Sequence, residues 1–154
     1  MREISISVIK VREGLEFGRA QKRKVFLVLD NHLVALYKEL GIPLSLEQQD
    51  DKSYLIHIQA KAQMTVRELF PGMLFSAFVG PLPEEEKEEA FMHLMQANLL
   101  GQSTGRSRLG ISNKQIVLTL YIPDDVDYRR FKEDVEEFAN YVDYWHEELK
   151  RKAA

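Results

Sequence analysis

The chain contains no cysteine, and its apolar runs are all short. Without cysteine it has neither a disulfide framework nor a thiolate metal site. The longest apolar runs, such as residues 25–29, are far shorter than the roughly 20 residues that a transmembrane helix needs. The first residues also lack the basic region, apolar segment and small-residue cleavage site of a signal peptide. We therefore expect a cytoplasmic protein that does not insert into a membrane.

Residue patterns of catalysis and metal binding are missing as well. The four histidines fall in four different predicted elements, without the spacing of a metal site: His32, His57, His93 and His146. The acidic run at residues 84–89 does not predict a metal site either, because consecutive carboxylates point in different directions around a helix. Residues 101–105 read Gly-Gln-Ser-Thr-Gly and so match Gly-x-Ser-x-Gly, but they follow a predicted helix and precede a predicted strand, the reverse of the strand–turn–helix order of a nucleophile elbow. The sequence has no phosphate-binding loop. We predict no enzyme, no cofactor and no metal, and we assign no catalytic residue.

The net charge of −3 is distributed unevenly along the chain. Residues 1–30 carry seven Lys or Arg against four Asp or Glu, net +3, whereas residues 31–154 carry fourteen against twenty, net −6. Because phosphate binding requires clustered cations, the acidic body argues against a nucleic-acid partner. The basic cluster at residues 22–24 is typical of a solvated stretch ahead of a helix.

The first half of the sequence alternates between strand and helix patterns. Residues 4–8 alternate β-branched and polar side chains and predict a short N-terminal strand. A helical spacing of apolar residues then leads up to Gly41. The start of this helix is open, because residues 25–29 could equally form a strand before a shorter helix capped by Asp30 or Asn31. Further strands are predicted at residues 54–59, 64–70 and 73–79, after a polar turn at residues 48–52.

The second half contains two helices and two strands. The acidic run at residues 84–89 predicts a helix start, since carboxylates are favourable at a helix N-terminus, and the helix ends near Gly101. Strands are predicted at residues 109–111 and 115–122. The last helix carries apolar residues at spacings of three and four: Tyr128, Phe131, Val135, Phe138, Val142, Trp145 and Leu149. This pattern favours an amphipathic helix packed across one sheet face over a free coiled coil.

Together these elements predict an α+β fold. An antiparallel sheet of about five to six strands is flanked by three helices and preceded by an extra N-terminal strand. A composition of 45% hydrophobic and 29% charged residues is that of a soluble globular protein. We divide the chain into an N-terminal extension or arm at residues 1–24 and a single domain at residues 25–154.

This order of elements, with three local sequences, resembles the CesT/Tir-chaperone family of type III secretion chaperones. The local sequences are LMQANLLGQ at residues 94–102, LGI at residues 109–111 and FANYVDYW at residues 138–145. The resemblance covers residues 25–152, and the extension before them departs from the family pattern. It implies a homodimer in the bacterial cytoplasm, without ATPase activity, that binds the N-terminal segment of secreted effector proteins and keeps it competent for secretion. It also allows the ATPase of the secretion apparatus as a partner.

Carried over by position, the resemblance assigns two sets of residues. The first helix and first strands would bind cargo through Leu33, Leu36, Leu40, Leu44, Leu46, Leu55 and His57. The second helix and a neighbouring strand would form the dimer interface through Phe91, Leu94, Met95, Asn98, Leu99, Leu118 and Leu120. For both sets the alternative is that the side chains fill the core of one subunit.

A second hypothesis belongs to a different class of protein. The same fold is compatible with a noncatalytic regulatory or sensory module of the YbjN-like group, which has no secretion partner. A small enzyme is a third hypothesis, and no residue constellation in the sequence supports it.

Overall fold

The computed structural model describes residues 31–41, 47–48, 53–57 and 63–153. Within them six antiparallel strands form one sheet in the order β1-β2-β3-β4-β6-β5. The strands are β1 (Glu47–Gln48), β2 (Tyr54–His57), β3 (Gln63–Leu69), β4 (Gly72–Pro81), β5 (Arg108–Ser112) and β6 (Gln115–Pro123). Three helices accompany this part of the sheet, namely α1 (31–40), α2 (Lys87–Leu100) and α3 (Tyr128–Ala153).

The predicted α+β fold class is confirmed by this architecture. One detail differs, because Glu47–Gln48 forms a two-residue strand where the sequence predicted that a polar turn begins at Gln48. Pairing with Tyr54 and Leu55 outweighs the weak strand propensity of this short segment. The predicted N-terminal strand lies outside the described residues, and the division at residue 24 stays a prediction.

The sheet has two faces of different character. Side chains alternate between the faces along each strand. We call the buried side the inner face; on the central strands it presents Met73, Phe75, Ala77, Leu118 and Leu120, all nearly or fully buried. The tight hairpin between β5 and β6 places Asn113 and Lys114 at φ of 50° and 61°, the left-handed conformation that a two-residue connection with a type I′ turn requires.

Helix α3 covers the inner face, as the three-four spacing predicted. Its apolar stripe is buried from Phe131 to Trp145. The ring of Phe75 on β4 meets the rings of Phe131 and Phe138 edge-on, each with a centroid separation of 6.2 Å. Because these side chains are buried against the sheet, they are not available for a coiled coil.

The connection after α2 is fastened to α3 by side-chain and backbone contacts. Trp145 donates its indole N–H to the Ser103 carbonyl at 2.8 Å. Arg106 donates to the buried carboxylate of Asp134, with an Nη1–Oδ2 distance of 3.0 Å. Gly105 has φ of +54°, and a Cβ there would lie 2.8 Å from the ring of Tyr141. These contacts fix the position of α2 relative to α3.

Helix α1 lies against the start of α3. The Nε2 atom of His32 lies 3.0 Å from the Val126 carbonyl oxygen. At the other end of α1, Glu39 accepts a hydrogen bond from Tyr128 at 2.6 Å and forms an ion pair with Lys132. Burial, together with the hydrogen bond to Glu39, raises the pKa of Tyr128 to about 12, so the phenol keeps the proton that it donates.

Candidate binding surfaces

The predicted cargo residues on α1 divide between core and surface. Leu36 is fully buried and Leu33 nearly so, and both belong to the central apolar cluster. Leu40 is 40% exposed. The side chains of Leu33 and Leu36 are therefore taken up by the core of the subunit, the alternative that the sequence left open, while Leu40 remains at the surface.

The other predicted cargo residues lie elsewhere. Leu55 pairs with Thr65, which in turn pairs with Ser76, and cross-strand partners share a face of the sheet. Leu55 is therefore on the face opposite to α3, where it is partly exposed. His57 ends strand β2. Leu44 and Leu46 lie outside the described residues. Of the predicted cargo side chains that the structure describes, Leu33 and Leu36 therefore lie in the core, Leu40 at the surface of α1, and Leu55 on the face opposite to α3.

Exposed apolar side chains that the sequence analysis missed, apart from Leu55, lie on the side of the sheet opposite to α3. We call it the outer face, defined by Leu55, Leu74, Phe78 and Tyr121. Phe78 is 56% exposed, and Tyr121 is more than a third exposed. Leu74 pairs directly with Tyr121, so their side chains are neighbours. The signal in the sequence was the presence of apolar residues at both parities of β4, which indicates a strand with two apolar faces.

Helix α2 carries apolar residues on two opposite sides. Leu94 and Ala97 face the core. On the other side Phe91, Met95 and Leu99 follow one another at intervals of four residues, and Met95 and Leu99 are 70% and 84% exposed. Together with the exposed Met92, these three residues form a continuous surface that we call the α2 stripe. Three predicted interface residues, Phe91, Met95 and Leu99, therefore lie on a surface that is available to a partner.

The remaining predicted interface residues are engaged within the subunit. Leu94, Leu118 and Leu120 are buried in the core, and the last two point from β6 toward α3. Asn98 forms two hydrogen bonds with the backbone of Leu109 on β5. The physical reason is the period of each element: residues on the inner face of a central strand, or on the core side of a helix, cannot also reach a partner.

The ring of His93 is partly buried, and burial disfavours its protonated form. Its Nε2 atom is buried and has no hydrogen-bond partner among the described residues. Its ring meets that of Trp145 edge-on, with centroids 5.5 Å apart. Burial, and then the charge of Lys152, lower the pKa of His93, while Glu148 on α3 and Glu89 on α2 oppose this shift.

We expect this histidine to make stability depend on pH. Its folded-state pKa lies below its ordinary value of about 6.5, so the unfolded chain takes up the proton first. The neutral ring makes its full contribution to the unfolding free energy above the ordinary pKa of about 6.5. This contribution is lost as the pH falls toward the lower pKa of the folded state. Urea unfolding at pH 7.5 and 5.5 should show a larger loss of unfolding free energy in the wild type than in His93→Gln. Equal losses in the two proteins would contradict the assignment.

The chain belongs to the Tir chaperone protein (CesT) family, whose model matches residues 31–146. The resemblance found in the sequence is thereby confirmed. A Chlamydia pneumoniae protein designated CPj0713/CpB0740 is 27% identical over 113 residues, which are 71% of this chain and 87% of that protein.

Solved structures share the fold at low sequence identity. The structure of the ExoU-SpcU complex from the type III secretion system of Pseudomonas aeruginosa matches with a TM-score of 0.57 and 20% identity, covering 75% of this chain and 92% of that one. The HopA1-SchA chaperone-effector complex matches with a TM-score of 0.58 and 13% identity over 79% and 94% of the two chains. YbjN of E. coli, a putative transcription regulator, has a TM-score of 0.52 at 16% identity and covers 80% and 93%.

Among the described helices, we find none that combines the length and apolar character of a membrane span. The described part of the chain also brings no three His, Asp or Glu side chains together in the manner of a metal site.

Proposed function

We propose that this protein is a type III secretion chaperone. It binds the N-terminal segment of one or more effector proteins in the bacterial cytoplasm and keeps that segment competent for secretion. The observation that carries the proposal is the exposure of Phe78 and Tyr121 on the outer face, in a member of the Tir chaperone family. A surface of this kind is typical of a protein that binds another chain. Holding a segment unfolded requires contacts and no chemical step, so the role is noncatalytic.

The outer face is suited to an extended or locally folded peptide. The aromatic rings of Phe78 and Tyr121 offer large apolar contacts, while the row Thr65, Ser76 and Thr119 between Leu55 and Arg108 offers hydroxyl groups. An extended peptide can also gain backbone hydrogen bonds from a sheet edge while its alternate side chains fill pockets. We therefore place the main cargo contacts on the outer face, with Leu40 at its own surface site on α1.

Self-association through the α2 stripe belongs to the same proposal. Large exposed methionine and leucine side chains in a row at intervals of four residues are unfavourable in water and suited to packing against a second helix. A second copy of the chain presents the same stripe, so a two-fold symmetric contact buries both stripes at once.

The proposal further includes the ATPase of the secretion apparatus as a partner. It also includes residues 25–154 as the chaperone domain, and the family match from residue 31 supports this division.

Cargo binding on the outer face is tested by replacing its aromatic residues. The cargo is the N-terminal segment of a secretion substrate that co-purifies with the protein from its native host. Phe78→Ser and Tyr121→Ser should each weaken binding by about 1–3 kcal/mol in calorimetry, because central aromatic contacts dominate such interfaces. Tyr144→Ser removes an aromatic ring of comparable exposure from α3 and should leave the affinity unchanged.

The controls separate two kinds of failure. Thermal melts show whether each variant is folded. If the folded Phe78→Ser/Tyr121→Ser double variant binds cargo as tightly as the wild type, the cargo surface lies elsewhere. If no secretion substrate binds the wild type, the regulatory role of the YbjN-like hypothesis replaces the chaperone role.

A further inference from the structure

Strand β5 lies at one edge of the sheet, and its outward-pointing backbone groups need partners. Hydrogen-bonded and non-hydrogen-bonded pairs alternate along an antiparallel ladder, so every second residue of an edge strand points its N–H and C=O away from the sheet. An open edge of this kind is a template for pairing with another chain. How the edge of β5 is occupied therefore bears on how two copies can meet.

The side chain of Asn98 occupies this edge. Its Nδ2 atom donates to the Leu109 carbonyl at 2.9 Å, and its Oδ1 atom accepts from the Leu109 N–H at 2.8 Å. The primary amide carries one acceptor and a donor side by side, which is the pattern that a residue of a neighbouring strand presents. Leu109 points these groups away from β6, with which it is paired.

The adjacent outward position is closed as well. The Ser107 N–H donates to the Thr104 carbonyl at 2.8 Å, and the Ser107 carbonyl accepts from Arg108 Nη1 at 2.7 Å. By the same alternation, Ile111 is the next outward position toward the hairpin. A strand ladder between two copies needs several consecutive outward positions, and two of these three are already engaged.

We propose that Asn98 is a side-chain substitute for a neighbouring strand. It closes the edge of β5 and so restricts self-association to helix contacts through the α2 stripe. This inference rests on the proposed dimer, and it explains how a residue beside an exposed apolar stripe limits assembly to a closed pair. Two copies joined through helices leave no growing sheet, whereas copies joined edge to edge can extend it.

The test compares Asn98→Ala with Asn140→Ala, which removes an exposed asparagine from α3. Sedimentation velocity over a range of concentrations reports the size of the assemblies, and hydrogen exchange reports the Leu109 amide. In Asn98→Ala the Leu109 amide should exchange about tenfold faster, because its acceptor is lost. Species larger than a dimer should also increase with concentration. Asn140→Ala should behave as the wild type in both measurements.

A folded Asn98→Ala protein that stays dimeric, with unchanged exchange at Leu109, would overturn the inference. If that variant does not fold, Asn98→Asp serves instead. It loses only the donor to the Leu109 carbonyl, so species larger than a dimer should still increase, while the Leu109 amide keeps its acceptor and should exchange as in the wild type. The wild type provides an independent measurement. If Asn98 closes the edge, the Leu109 amide must exchange more slowly than an edge-strand amide that has no hydrogen-bond acceptor. Rapid exchange at Leu109 in the wild type would also refute the role of Asn98. A wild type that is monomeric throughout would instead remove the dimer, and the exchange at Leu109 would still decide whether Asn98 closes the edge.

Discussion

Replacing Met95 and Leu99 with glutamate should convert the proposed dimer into monomers of about 17.9 kDa. Both side chains are largely exposed in the single subunit, so the change costs little in the monomer. In the dimer it would place four carboxylates in an apolar contact, where burying unpaired charge is strongly unfavourable. We expect the dissociation constant to rise at least about 100-fold. Sedimentation equilibrium at micromolar concentration measures this change.

The control for this variant is Tyr144→Glu. It also introduces a carboxylate at a partly exposed aromatic site, but on α3 and at a residue that is not part of the α2 stripe. It should remain a dimer. If the folded Met95→Glu/Leu99→Glu variant stays dimeric, the α2 stripe is not the interface. A specific wild-type interface should also bury at least about 1,000 Å² in total, and a much smaller buried area would contradict it.

Truncating Leu36 should destabilise the subunit far more than truncating Leu40. The two leucines lie one helical turn apart on α1, yet Leu36 is fully buried and Leu40 is 40% exposed. Leu36→Ala removes methyl groups from a packed core and leaves a cavity, which costs about 2–5 kcal/mol of unfolding free energy. Leu40→Ala should change it by about 0.5 kcal/mol or less. Urea denaturation gives both values.

These two variants also decide whether α1 takes part in cargo binding. If Leu36 serves the core alone, Leu36→Ala should lower stability and affect cargo only through the loss of folded protein. If Leu40 contacts cargo, Leu40→Ala should weaken binding at unchanged stability. A Leu36→Ala protein with wild-type stability would show that this side chain does not fill the core.

The sequence was most informative where periodicity and burial agree. Helix α3 was predicted correctly because its apolar residues repeat along one stripe, from Phe131 to Trp145, and this stripe is buried against the sheet. Strands β3 to β6 were likewise predicted, since β-branched and aromatic residues cluster between turn signals. In these elements one local pattern admits one packing arrangement.

Helix α2 shows why the candidate sites were harder to predict. Its apolar residues lie on both sides, so periodicity could not distinguish the core residue Leu94 from the exposed residues Met95 and Leu99. That choice depends on where α3 and β5 lie, which is tertiary information. The same holds for Leu55 and Ile56, which occupy opposite faces of one strand and differ only in which face the helices cover.

The outer face consists of strand residues and the α2 stripe of helix residues, so the two surfaces have no residue in common. A dimer paired through the α2 stripe would therefore use no residue of either outer face. A cargo segment long enough to reach from one outer face to the other would bind the second face as an intramolecular event. Its effective concentration there would be set by the length and stiffness of the segment between the two contacts. Two individually weak peptide contacts would then hold cargo much longer than either alone, because release would require both contacts to be broken before either re-forms.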